Sequence, residues 1–168
     1  AAYDEALTGV VPLPKLSLGV DRSHPAWLQD ERLVTLPSSV FDPVDVTIRS
    51  LDVTGIRVTA QQYVVGAATT VVQVEGGTSE GQFWIQGMEG AAGRAVTIVA
   101  EAAGYEPDTM VVTLTRPAFR LSNAGALSVP ATGGTDPVLL LSVGDVVGGA
   151  FVPLAVSMGS EAPTFTIT

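Results

Sequence analysis

The sequence predicts an all-β protein folded as an antiparallel sandwich of two packed sheets. Three observations carry that prediction. The first is β-branched content: 25 valines and 17 threonines among 168 residues suit the pleated, half-buried surface of a strand. The second is punctuation, with 18 glycines and 11 prolines set between short apolar runs. The third is period, since apolar and polar residues alternate and no useful length repeats every 3.6 residues. The best helical candidate is the segment 25–32, Pro-Ala-Trp-Leu-Gln-Asp-Glu-Arg, about two turns at most.

Strands are predicted in order at 15–18, 33–36, 44–49, 55–60, 69–75, 81–86, 95–102 and 109–115. The first lies between Pro14 and Gly19, the second ends at Pro37, and the third follows Asp42-Pro43. The fourth opens at the Asp52-Val53-Thr54-Gly55 turn, and the fifth stops at Gly76-Gly77. Gly81 and Gly87 flank the sixth, Gly93 precedes the seventh, and Gly104-Tyr105 separates it from the eighth. Alternation points Val72 and Val74, Phe83 and Ile85, Val96 and Ile98, and Val112 and Leu114 into the core. Residues 21–32 form an additional loop of about eleven residues on this reading.

Composition excludes several functions. Hydrophobic residues make up 46% of the chain, enough to bury a core, and only 15% are charged. Eight Lys plus Arg against 17 Asp plus Glu leave a formal charge of −9, so no basic surface exists to track nucleic-acid phosphates or dock on anionic lipid. The absence of cysteine removes disulfides, Cys-ligated zinc and thiol catalysis. A single histidine, His24, argues against His-based metal sites and catalytic dyads. The apolar stretch 137–156 is broken by Asp145, Gly148, Gly149 and Pro153, whereas a membrane helix needs about 20 clean apolar residues.

That stretch is better explained by repetition. Asp52-Val53-Thr54-Gly55 matches Asp145-Val146-Val147-Gly148, 93 residues on. The same offset sets Gly66 on Gly159 and Val72 and Val74 on Phe165 and Ile167; with one gap, Asp42-Pro43-Val44 meets Asp136-Pro137-Val138. The organisation expected is an N-terminal extension or linker at 1–11, a complete module at 12–115, and a second, C-terminally incomplete copy at 116–168. The second copy ends at the counterpart of Glu75, so a longer chain or a neighbouring subunit is expected to cover its core through residues 136–168. Residues 1–11 read as a linker, or as a strand donated to another subunit.

The stretch 91–105, Ala-Ala-Gly-Arg-Ala-Val-Thr-Ile-Val-Ala-Glu-Ala-Ala-Gly-Tyr, followed by Met110-Val111-Val112-Thr113-Leu114, resembles the closing strands of bacterial Ig-like domains. Gly66 and the strand Thr69-Thr70-Val71-Val72-Gln73-Val74 resemble that family's mid-domain glycine turn and following strand. The resemblance covers about 60 residues, and its motifs are structural. It implies an Ig-like β-sandwich repeated in tandem on a secreted or cell-surface protein.

Candidate sites are few. Asp21, Ser23 and His24 invite comparison with a catalytic triad, but they share one loop without a Gly-X-Ser-X-Gly elbow, so no catalytic residue is assigned. Asp42, Asp45, Asp52, Asp136 and Asp145 recur at turns; these are weak calcium candidates, since Asp also begins turns without a metal. Trp84 shares a strand face with Gln82 and Gln86. It is set to stack on a sugar ring, to pack on a neighbouring module, or to be covered by the chain itself together with Trp27. Tyr105 reads as a core or corner residue.

The function expected is a non-catalytic structural or adhesive module of an extracellular bacterial surface protein or filament, with neighbouring modules as partners and no cofactor. The alternatives are a carbohydrate-binding module using Trp84 and Trp27, with glycan as the partner, or a virion decoration or tail protein.

Overall fold

The computed structural model describes residues 12–122 and 140–157. The extension at 1–11, Asp136, Gly159, Phe165 and Ile167 lie outside the described residues. Within them the chain forms β1 (Arg22–Pro25), β2 (Leu28–Thr35), β3 (Val44–Ser50), β4 (Ile56–Thr59), β5 (Thr69–Val74), β6 (Glu80–Gly87), β7 (Ala95–Glu101), β8 (Asp108–Thr115), β9 (Ala118–Ser122), β10 (Leu140–Val147), β11 (Ala150–Pro153) and β12 (Ala155–Val156), and no helix. Two sheets make an Ig-like β-sandwich: β1-β8-β7-β3-β5 and β12-β2-β6-β4. Pairing is antiparallel except that β1 runs parallel to β8, with Arg22 opposite Val112 and Pro25 opposite Thr115.

The core lies between the inner faces. From the five-stranded sheet come Val46, Ile48, Val72, Val74, Val96, Ile98, Met110, Val112 and Leu114, and from the facing sheet Val34, Ile56, Val58, Phe83 and Ile85, all buried. Every core residue expected from alternation is among them. Burying each large side chain contributes about 1.5–3 kcal/mol. Tyr105, half-buried after Gly104, packs against this cluster.

Three expectations need correction. Residues 21–32 are not a loop, nor is 25–32 a helix: β1 and β2 occupy most of the segment, joined by a tight turn at Ala26-Trp27 in which Trp27 has φ 68°. Alternation explains this, because Leu28, Arg32 and Val34 are buried on one face while Glu31 and Leu33 are exposed on the other, a period of two. Residues 15–18 do not make a strand but stitch the sheets together through single bridges, Lys15 to Glu106 and Ser17 to Thr35. Leu16 and Leu18 are buried there, and Asp108 caps the stitch by accepting from the Leu18 N–H at 2.9 Å and pairing with Lys15 at 3.4 Å.

The apolar stretch read as strands rather than a membrane span supplies β10, β11 and β12. β9, β10 and β11 form a separate three-stranded sheet, in which the Arg120 guanidinium lies 4.8 Å from the Phe151 ring centroid. The turn-on-turn match at offset 93 is not kept: Asp52 sits in a turn between the two sheets, whereas Asp145 lies inside β10. Gly148 and Gly149, both at positive φ (58° and 81°), close a two-residue hairpin instead. β12 then leaves that sheet and pairs with β2.

Replacing Phe83 with Ala should destabilise the sandwich by about 3–5 kcal/mol, read as a lowered midpoint in urea unfolding.

Candidate functional site

The site is built on the outer face of β2 and β6. Glu31 lies opposite Trp84 and Gln29 opposite Gln86, and on the other side β4 sets Thr59 opposite Trp84 and Arg57 opposite Gln86. Alternation sends all of these away from the apolar core. The expected open face is nevertheless partly roofed. Residues 61–66 fold over it from β4, and 153–157 arrive from β11 and β12.

Gln86, expected as an exposed contact residue, is therefore fully buried, and it clamps the first roof. Its Nε2 donates to the Val64 carbonyl at 2.7 Å and to Gln29 Oε1 at 3.2 Å, while its Oε1 accepts from the Gly66 N–H at 2.8 Å. Position 66 requires glycine because a Cβ would stand 2.9 Å from both Gln86 Oε1 and the Val58 carbonyl. Gln82 stays exposed, farther along β6.

Between the two roofs remains an open cleft of about 300 Å³ lined by Trp84, Tyr63, Gln62, Gln29, Glu31 and Ala155, among others. Trp84 is partly exposed, so the chain covers it only in part. Tyr63 is 59% exposed and held at φ 62°, a left-handed conformation that bulky residues rarely adopt. Gln29 is 3% exposed, and its buried Nε2 has no hydrogen-bond partner. Tyr63, Gln62, Gln29 and Glu31 were not singled out in the sequence. The one available signal was the Gln-Gln-Tyr run before Gly66, directly after a strand.

Trp27 does not join this cleft. It lines an apolar depression with Pro117 and Phe119, its Nε1 buried without a partner. Its carbonyl accepts from the Ser157 N–H at 2.5 Å, which ties the returning chain to the β1–β2 turn.

A second polar cluster lies where β1 and β2 face each other. Asp30 and Arg32 share the inward parity of β2 and pair at 2.7 Å, and Arg32 Nη1 donates to the Glu31 carbonyl at 2.6 Å. His24 is buried, with Nε2 2.7 Å from the Leu28 carbonyl. That contact makes Nε2 the protonated nitrogen and leaves Nδ1 buried without a partner. Burial, then the nearby Arg32 charge, pushes the imidazole down to about 4, against the Leu28 carbonyl, which favours protonation. A cleft of about 170 Å³ opens beside the cluster toward Asp145 and Val147 of β10. The triad residues do not converge: the Asp21 carboxylate accepts from the Val111 N–H at 2.8 Å, and Ser23 is exposed while its neighbour His24 is buried.

The calcium candidates among the described residues are dispersed. Asp42 is exposed in a loop, and Asp45 accepts from Gln73 at 3.0 Å. Asp52 accepts from the Thr54 hydroxyl and N–H and pairs with Arg94; these contacts, the Thr54 hydroxyl foremost, hold its carboxyl below the ordinary value. Asp145 accepts from the Val146 N–H at 2.8 Å. Among the described residues no three His, Asp or Glu side chains gather as a metal site would need.

No family model matches the sequence, and no curated relative does. Among solved structures the chain is similar to the "apo-form Calx CBD1 domain", at 14% identity and a TM-score of 0.42, over 61% of this chain and 97% of that one. The class rests on the strands themselves: an all-β, Ig-like sandwich.

Two outcomes follow from the buried groups. Gln86→Leu should release the 61–66 roof at a cost of about 1–3 kcal/mol, seen as faster amide exchange at Gly66. His24 binds a proton less readily folded than unfolded, so its contribution is fully favourable above about pH 6.5, falls as pH drops, and levels off below about 4. Between about pH 7.5 and about pH 5 this amounts to about 2 kcal/mol, and urea titrations should show that part of the loss disappear in His24→Asn.

Proposed function

We propose that this chain is a non-catalytic structural and adhesive module of an extracellular bacterial surface protein or filament built from tandem Ig-like sandwiches. Residues 12–115 are one module in this reading, and 116–168 belong to the adjoining unit, which meets a neighbour through 136–168. The observation that carries it is the return of β12. After forming a separate sheet with β9, the chain comes back and adds a strand to β2, with Ala155 opposite Gln29 and Val156 opposite Leu28. Main-chain pairing of this kind is directional and covers a sheet edge. It supports a junction that transmits force instead of swivelling, as a stalk or filament body needs. The dispersed placement of Asp21, Ser23 and His24 agrees with a non-catalytic role.

The test uses the lack of native cysteine. Spin labels on cysteines introduced at exposed Val71 of β5 and exposed Val146 of β10 should give one narrow distance distribution. Ser157→Pro removes the N–H that bonds the Trp27 carbonyl and should broaden it. A broad distribution in the parent chain would sink the rigid-junction reading. Surface location is checked separately, by antibody labelling of intact producing cells.

A further inference from the structure

We infer that the cleft between the 61–66 roof and β12 is a binding site for a neutral sugar ring of a polysaccharide. The aromatic side chains of Trp84 and Tyr63 line one opening, and the Tyr63 backbone is held at positive φ while 59% of that residue faces solvent. Strain at an exposed aromatic stabilises nothing in the core, and such outliers persist where the surroundings impose them. Here the imposing element is the fully buried Gln86 amide, which clamps both Val64 and Gly66.

The polar lining narrows the ligand. Gln29 is almost wholly buried, and its Nε2 donor has no partner, so it calls for an acceptor oxygen. Glu31, two residues along the same face of β2, calls for a donor. A pyranose ring supplies both through its hydroxyls and presents a flat C–H face to the aromatic rings. A methylated ammonium would suit Trp84, Tyr63 and Glu31 but offers Gln29 no acceptor. An anionic group would meet Glu31 in a chain of net charge −9. The opening of about 300 Å³ admits one ring with its neighbours in solvent. Of the residues first considered for a sugar, Trp84 belongs to this site, while Gln82, Gln86 and Trp27 do not line it.

The experiment is affinity electrophoresis of the whole 168-residue chain through gels containing mannan, xylan, β-glucan, galactan or soluble chitosan-free chitin oligomers coupled to agarose. At least one neutral polysaccharide should retard it. Tyr63→Ala and Trp84→Ala should each weaken that retardation about tenfold. Phe41→Ala, at a residue 96% exposed outside the cleft, should leave it unchanged. Tyr63 is exposed enough for its variant to keep the parent melting curve, so its result stands even where Trp84→Ala unfolds. No retardation in any gel, retardation equal in parent and Tyr63→Ala, or binding to a trimethyl-lysine peptide in place of sugar overturns the inference. The distance measurement on the junction is made without sugar, so a failure here and a failure of the junction reading are told apart.

Discussion

The packing of two inner faces against each other is the interaction on which the rest of the molecule depends. From β1 to β7 each connection carries the chain from one sheet to the other, and only β7 and β8 are joined as a hairpin within the sandwich. Neighbouring strands are therefore distant in sequence. Asp21 and Leu18 each bond across 90 positions, to Val111 and Asp108. Such pairings close long loops before they gain any hydrogen bonds, so apolar burial must compensate that entropy. Val46, Ile48, Phe83, Ile85, Ile98 and Val112 supply it from both faces.

Having fixed the inner faces, the fold must deal with its edges. β2 would present an unpaired edge, and β12 covers its start while Ser17 bridges its end. Between them, Asp30 and Arg32 turn inward as an ion pair beside buried His24. Charges pointing inward at an edge discourage pairing with another chain, because a foreign strand could not satisfy them. The orphan Arg32 Nε and His24 Nδ1 show that this device costs stability.

The sandwich was legible because its signal is local: alternation places Phe83 and Ile85, or Val96 and Ile98, on one face whatever the topology. The segment 21–32 was misread because its inward positions include Asp30 and Arg32, which look like surface residues until an ion pair and a covering sheet are known. Gln86 misled for the converse reason. It does face away from the core, but a loop from β4 returns to bury it, and nothing in β6 announces that. The offset of 93 residues matched turn composition, yet a glycine pair makes a hairpin at Gly148-Gly149 where Asp52–Gly55 makes a crossing between sheets. Composition identifies a turn without saying which sheets it joins.

The cleft and the junction meet at Gln29 and Ala155. Gln29 pairs through its backbone with Ala155 of β12, and its side chain both accepts from Gln86 and lines the cleft. The part of the lining that Leu154 and Ala155 supply thus exists only while β12 stays docked, and the Tyr63 roof is held by the same amide network. Whatever favours docking completes the cleft, and by linkage whatever occupies the cleft must favour docking by an equal free energy. On the proposed reading, a sugar bound there would stiffen the junction, so that binding and docking act on one equilibrium rather than on two separate surfaces.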